Sequence, residues 1–134
     1  MTTSNPIPLP GVTALGQVSL LVHDAARAEA FYRDVLGLPH LFTFGTLTFF
    51  DLGGIRLLLS EPEDGTWQPG SVLYLRVPDI EVAHTALAAR GVAFDATPHL
   101  IHRHADGTEE WMAFFRDPDA NQLALMAQVA PATS

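Results

Sequence analysis

The sequence predicts one α+β domain built from two βαβββ modules. Three observations predict it. Two β-rich stretches, VSLLVHD (18–24) and LYLRVPD (73–79), each end in an aspartate, and Asp24 and Asp79 lie 55 residues apart, a spacing that marks duplicated units. Each aspartate precedes a helical stretch that stops at a glycine. Each helix is followed by three further apolar strands. At 134 residues the chain is long enough for one domain with a real core and too short for two ordinary ones.

In chain order, residues 1–12 form an N-terminal arm, extended by Pro6, Pro8 and Pro10. A single domain then spans 13–129. Its first module covers 13–62. Strand 18–24 delivers Asp24 as the N-cap of a helix over roughly 25–36, which Gly37 ends with Arg33 near its negative pole. Strands follow at 40–44, 46–52 and 55–60. Glu61 to Gly70, with two prolines and two glycines, links the halves. The second module covers 70–129. Asp79 caps a helix over roughly 80–90, which Gly91 ends, and strands follow near 93–103, 110–116 and 122–129. Asp106-Gly107 reads as a two-residue hairpin turn, and Asp117-Pro118-Asp119-Ala120-Asn121 as a further turn. Residues 130–134 form a tail.

Composition narrows the function. Apolar residues make up 48% and charged residues 16%, as in a globular protein. The net charge of −8 opposes binding to nucleic acid or to an anionic membrane surface. No apolar run reaches the length that spans a bilayer. The N-terminus lacks the basic start and apolar stretch of a signal peptide, so the expected compartment is the cytoplasm. Cysteine is absent, which removes disulfides, thiolate nucleophiles and Cys-type metal sites. Lysine is absent too, which removes Schiff-base chemistry and a phosphate-loop lysine.

VSLLVHD followed by AFYRDVLGL, with FFRDPDANQLALM near the end, resembles the vicinal oxygen chelate superfamily over about residues 14–129. That superfamily groups glyoxalase I, extradiol dioxygenases, fosfomycin-type transferases and bleomycin-resistance proteins. The resemblance implies a curved mixed sheet with a concave cleft, and a homodimer. In metal-dependent members each module supplies two ligands, from its first and last strands. Carried over position by position, these fall on Gln17, near Leu58, on Val72 and on Ala124. Glutamine offers one carbonyl oxygen; leucine, valine and alanine offer no donor. The expectation is a site without the family's usual metal. The alternative is a displaced divalent metal held by His99, His102, His104 and Glu110, although a polar hairpin with cross-strand charge pairs explains these residues as well.

Strand alternation assigns the cleft. Val18, Leu20, Val22, Ile55, Leu57, Leu59, Leu73, Leu75, Val77, Leu123 and Leu125 face the core. Gln17, Ser19, Leu21, Arg56, Leu58, Ser60, Tyr74, Arg76, Gln122, Ala124 and Met126 face the cleft. His102 and Trp111 join the candidate ligand-binding set, with Phe114 and Phe115 as further aromatic candidates. Two arginines over an apolar floor suit a small organic acid. The expected activity is small-molecule binding, with metal-independent catalysis on such an acid left open. The alternatives are a metal-dependent lyase, isomerase or dioxygenase with displaced ligands, and a protein that sequesters a cationic antibiotic.

Overall fold

A computed structural model of the chain describes residues 11–12 and 14–131. Most of the expected N-terminal arm, and the end of the tail, lie outside them. Module one runs β1 (Gln17–Leu21), helix α1 (Ala25–Ala30), β2 (His40–Phe44), β3 (Leu47–Leu52) and β4 (Ile55–Ser60). Module two runs β5 (Leu73–Arg76), helix α2 (Ile80–Ala89), β6 (His99–Arg103), β7 (Glu109–Arg116) and β8 (Gln122–Val129). This is the α+β fold expected from the duplicated pattern.

Both helices start as the spacing predicts. The carboxylates of Asp24 and Asp79 accept from the amides of Arg27 and Val82, each at 3.1 Å. Helix α1 does not stay α-helical. Phe31–Val35 continue it as a π-helical turn, closed by the Leu36 amide on the Phe31 carbonyl at 3.0 Å. Gly91, at φ 94°, ends α2. The Gly91 amide bonds the Ala88 carbonyl at 3.0 Å and the Val92 amide bonds the Leu87 carbonyl at 3.1 Å, the paired bonds of a left-handed helix stop.

Each module folds its strands into one four-stranded mixed sheet, in the orders β1-β4-β3-β2 and β5-β8-β7-β6. β1 lies parallel to β4, and β5 to β8; the other pairs are antiparallel. β1 and β5 are thus edge strands, and among the described residues no ladder joins them. Leu20, Val22, Leu57, Leu59, Leu123 and Leu125, which alternation assigns to the core, meet there in one cluster with Phe50, Ile80, Leu87 and Phe115. Among the described residues no helix is long and apolar enough to cross a membrane.

Two expectations need correction. The strand expected over 93–103 begins only at His99; before it, Phe94 makes a single bridge to Phe115. Pro98, with no amide hydrogen, cannot extend the ladder backwards. The hairpin register is also shifted by one. The loop carries three residues, Ala105 to Gly107, because the His104 amide bonds the Thr108 carbonyl at 2.8 Å and Gly107 takes φ 91°. Arg103 therefore pairs with Glu109 and His102 with Glu110, one residue off the register that a two-residue turn at Asp106-Gly107 sets.

The Asp117–Asn121 turn is more than a connection, because Asp117, Asp119 and Asn121 are buried in it. The Asp117 carboxylate accepts from the Tyr32 hydroxyl (2.7 Å), the Asn121 side-chain amide (3.0 Å) and the backbone amides of Asp119 (2.9 Å) and Asn121 (2.8 Å). Asp119 Oδ1 accepts from the His23 amide (2.6 Å), His23 Nδ1 (2.9 Å) and Arg27 Nη2 (2.8 Å). Asn121 donates to the Leu21 carbonyl at 2.9 Å. The turn of module two is thereby tied to β1 and the first helix of module one.

Candidate functional site

Each sheet packs one face on the core and leaves the other open. On the open face of module one, Arg56 of β4 stands between Gln17 of β1 and Asp51 of β3. Its guanidinium carbon lies 5.3 Å from the centre of the Phe49 ring, within cation–π reach. Phe49 in turn stacks on Phe42 of β2, centroids 4.4 Å apart and planes 24° from parallel. Leu58 pairs with Phe49 on this face, and Ser19 with Leu58. Phe42 and Phe44 remain exposed. These three phenylalanines were not foreseen as part of the site. Only the cross-strand register, which a single sequence does not print, stacks Phe42 on Phe49 beside Arg56, with Phe44 two residues further along β2.

Module two repeats the theme. Tyr74 of β5 is opposite Ala124 of β8, which is opposite Phe114 of β7. Tyr74 and Phe114 meet edge to face at 6.1 Å, and the His99 ring lies 6.2 Å from Phe114. Arg76 is opposite Met126, with Met112 beyond it. Gln122 and Met126 are half-buried on this face and Ala124 is fully buried. Trp111, expected among the ligand-binding residues, is on the other side: it is in phase with Ala113 and Phe115 along β7 and packs against the core. Phe115 is core as well, so of the aromatic candidates Phe114 alone lines the open face.

The His-rich hairpin sits at the rim. His102 and His104 rings meet edge to face at 4.6 Å, and His104 Nε2 lies 2.7 Å from Glu110 Oε2, which also accepts from Gln128 at 2.8 Å. The hydrogen bonds from His104 and then Gln128 hold the Glu110 carboxyl below its ordinary range, and the positive charge of Arg76 adds a smaller effect. Arg103 and Glu109 form a separate ion pair. His99 stays apart, beside Phe114. Among the described residues no three His, Cys, Asp or Glu side chains are grouped so that they could hold a metal ion.

The arginines sort into two classes. Arg27 pairs with Asp119, Arg33 with Glu29 and Asp34, and Arg103 with Glu109. Arg90 and Arg116 donate to the carbonyls of Val35 and Ala120. Arg56 and Arg76 have side chains that bond to no described residue, although both are exposed on the open faces. Asp51, directly across from Arg56, turns its carboxylate to the Gly54 amide at 3.1 Å instead.

Residues 14–125 match the family model of the Glyoxalase/Bleomycin resistance protein/Dioxygenase superfamily. The chain is 28% identical over 127 residues to the uncharacterized protein YraH of Bacillus subtilis, covering 81% of this chain and 94% of that one. Among solved structures it is similar to a lactoylglutathione lyase from Agrobacterium tumefaciens, with a TM-score of 0.69 and 26% identity over 86% of this chain and 93% of the other. It is equally similar to a superfamily member from Sphaerobacter thermophilus, with a TM-score of 0.69 and 26% identity over 87% and 98% of the two chains.

Proposed function

This chain belongs to the Glyoxalase/Bleomycin resistance protein/Dioxygenase superfamily, and from that premise we propose that its open sheet faces bind a small organic anion with an apolar, partly aromatic body, without a resident metal. The observation that carries the reading is the pair of arginines. Arg56 and Arg76 are the two arginines whose side chains bond to no described residue; Arg56 stands over Phe49, and Arg76 is opposite Met126 and two residues along β5 from Tyr74. A guanidinium held over an apolar floor is costly to desolvate alone and is stabilised by a carboxylate. A flat ring would extend the Phe42–Phe49 stack or lie against Tyr74 and Phe114.

Three of the four positions that carry the family's metal ligands argue against a bound ion. Leu58, Val72 and Ala124 have no donor atom, and Ala124 is sealed between Tyr74 and Phe114 on the neighbouring strands. The cation-sequestering reading is weaker, because the acids on these faces are already engaged: Asp51 by Gly54, Glu110 by His104 and Gln128. In this reading the working unit is a homodimer. The likeness to a lactoylglutathione lyase supports a second reading, in which the anion is also transformed. The acid–base groups available for that are Tyr74, His99 and Glu110.

Calorimetric titration of aromatic carboxylates and matched aromatic amines tests the proposal. Carboxylates bind and amines do not. Each of Arg56→Gln and Arg76→Gln weakens carboxylate binding about tenfold to a hundredfold, since a charge-assisted bond contributes roughly 1.5–3 kcal/mol. Preferential binding of the amines, or carboxylate affinity indifferent to both substitutions, overturns it. About one equivalent of a transition metal per chain in protein purified without chelator overturns the metal-free part.

A further inference from the structure

One cavity lies away from the open faces. It has a volume of about 500 Å³ and lies on the helix side of the second sheet, between α2, the end of the first helix and the β3–β4 turn at Gly53. Its walls are Leu36, Leu38, Leu52, Leu75, Val77 and Leu87. Leu75 and Val77 alternate with Tyr74 and Arg76 along β5, so their side chains point to the face opposite the proposed anion site. The size falls within the range of small-molecule pockets.

Three features give this cavity a polarity. Its lining holds no acid, in a chain with more than twice as many acids as bases, and of its two arginines Arg90 is the one whose side chain is not turned to the opposite face of the sheet. Arg90 is fixed at the rim: its Nη1 donates to the Val35 carbonyl at 2.7 Å, leaving its other N–H groups free of described partners. The free edge of β5 is the third feature. Val77 donates to the Met126 carbonyl, so the alternate residues Tyr74 and Arg76 turn their backbone N–H groups away from β8, and both line the cavity.

We propose that this cavity is a second binding site, separate from the open sheet faces, for a medium-chain aliphatic carboxylate. The chain lies along the leucine walls, and the carboxylate accepts from Arg90 and from an edge amide of β5. A flexible alkyl chain suits walls of leucine and valine better than a flat ring does, and Tyr74, the aromatic residue in the lining, turns its ring to the opposite face. Arg90, already held in place, gives up little conformational freedom on binding.

Amide-resolved NMR titration of the full chain with sodium octanoate, octylamine and octanol tests this. Octanoate is expected to shift the amides of Ala83, Ala86, Leu87 and Arg90 and to saturate at one molecule per chain. Octylamine shifts none of them. Ala86→Trp, an exposed helix position that puts an indole into the groove, weakens octanoate at least about tenfold, and Arg90→Gln weakens it by about tenfold. Arg56→Gln leaves these shifts unchanged, which separates this site from the open-face one. Equal binding of octylamine, or octanoate affinity indifferent to Ala86→Trp in a variant that melts like the parent, overturns the proposal. So does octanoate binding that appears only after residues 1–10 are removed, or only when a dimer is diluted apart; the groove would then belong to the chain's own arm or to a second copy.

Discussion

The two modules meet through two junctions that the duplication should have made alike, and they are built in opposite ways. At the first, the helix that follows Asp24 meets the β7–β8 turn. Tyr32 fills the space between them, and Asp117, Asp119 and Asn121 lock it with hydrogen bonds to Tyr32, His23, Arg27 and β1. At the second, the helix that follows Asp79 meets the β3–β4 turn. Leu87 occupies the place of Tyr32, Val82 that of Arg27 and Pro78 that of His23, counted from the two caps. The turn there is two glycines in place of five residues rich in acid and amide groups. Smaller side chains and a shorter turn leave the 500 Å³ cavity. One junction has become a clamp and its copy a pocket, so the same scaffold divides stability and binding between equivalent places.

If the first junction is the clamp, breaking it has the largest effect. Asp117→Ala removes the acceptor of four hydrogen bonds in a buried turn. The expected loss is about 3–5 kcal/mol, read from the urea midpoint, with the stranded donors accounting for most of it. A loss below about 1 kcal/mol would mean that the network is ornamental and the comparison false.

Tyr32→Phe strips one bond from the same clamp and should cost about 1–3 kcal/mol. It carries a pH signature as well. Burial, followed by the negative charge of Asp117, pushes the Tyr32 hydroxyl well above its ordinary range. A group whose folded pKa is raised gives stability that is fully present below its unfolded value, about 10 for tyrosine, and is lost as pH rises toward the folded value. The parent protein should therefore lose stability more steeply than Tyr32→Phe as pH is raised past about 10. Parallel alkaline curves for the two proteins would show that the hydroxyl is not held in this way.

Most of the fold was legible in the sequence because local rules govern it. Asp24 and Asp79 cap by side-chain chemistry, Gly37 and Gly91 stop helices by backbone freedom, and alternation put Leu20, Leu57, Leu123 and Leu125 in the core. What was not legible depends on partners distant in the chain. Asp117-Pro-Asp-Ala-Asn has the composition of an exposed turn, and only the helix laid over it buries Asp117 and Asp119. Phe42 becomes a site residue only through its pairing with Phe49. The hairpin register turned on one backbone angle, that of Asp106, which does not take the positive φ that a two-residue turn at Asp106-Gly107 would require. Alternation puts Trp111 in phase with Ala113 and Phe115 and opposite Phe114, but only the pairing of β7 with β8 says which of the two sets faces the core. The cavity was invisible for a further reason: a void is defined by what fails to fill it, and Leu87 reads as an ordinary helix leucine until Tyr32 is seen in the equivalent place.

That equivalence yields the smallest effect and the finest test. Enlarging a side chain in a close-packed core costs about 1–3 kcal/mol, through strained rotamers and backbone shifts. Leu87 is nearly buried, yet it forms a wall of the open junction. A phenyl ring at position 87 can turn into the cavity, replacing empty space with dispersion contacts and removing apolar surface from water. The gain and the adjustment of Leu36 and Leu75 oppose one another. Leu87→Phe should therefore change stability by under about 0.5 kcal/mol in either direction, with the denaturant slope unchanged. The same variant should lose octanoate binding, because the ring takes the volume the alkyl chain needs. A loss of stability above about 1 kcal/mol would mean that the second junction is as tightly packed as the first, and that the difference between clamp and pocket does not persist in solution.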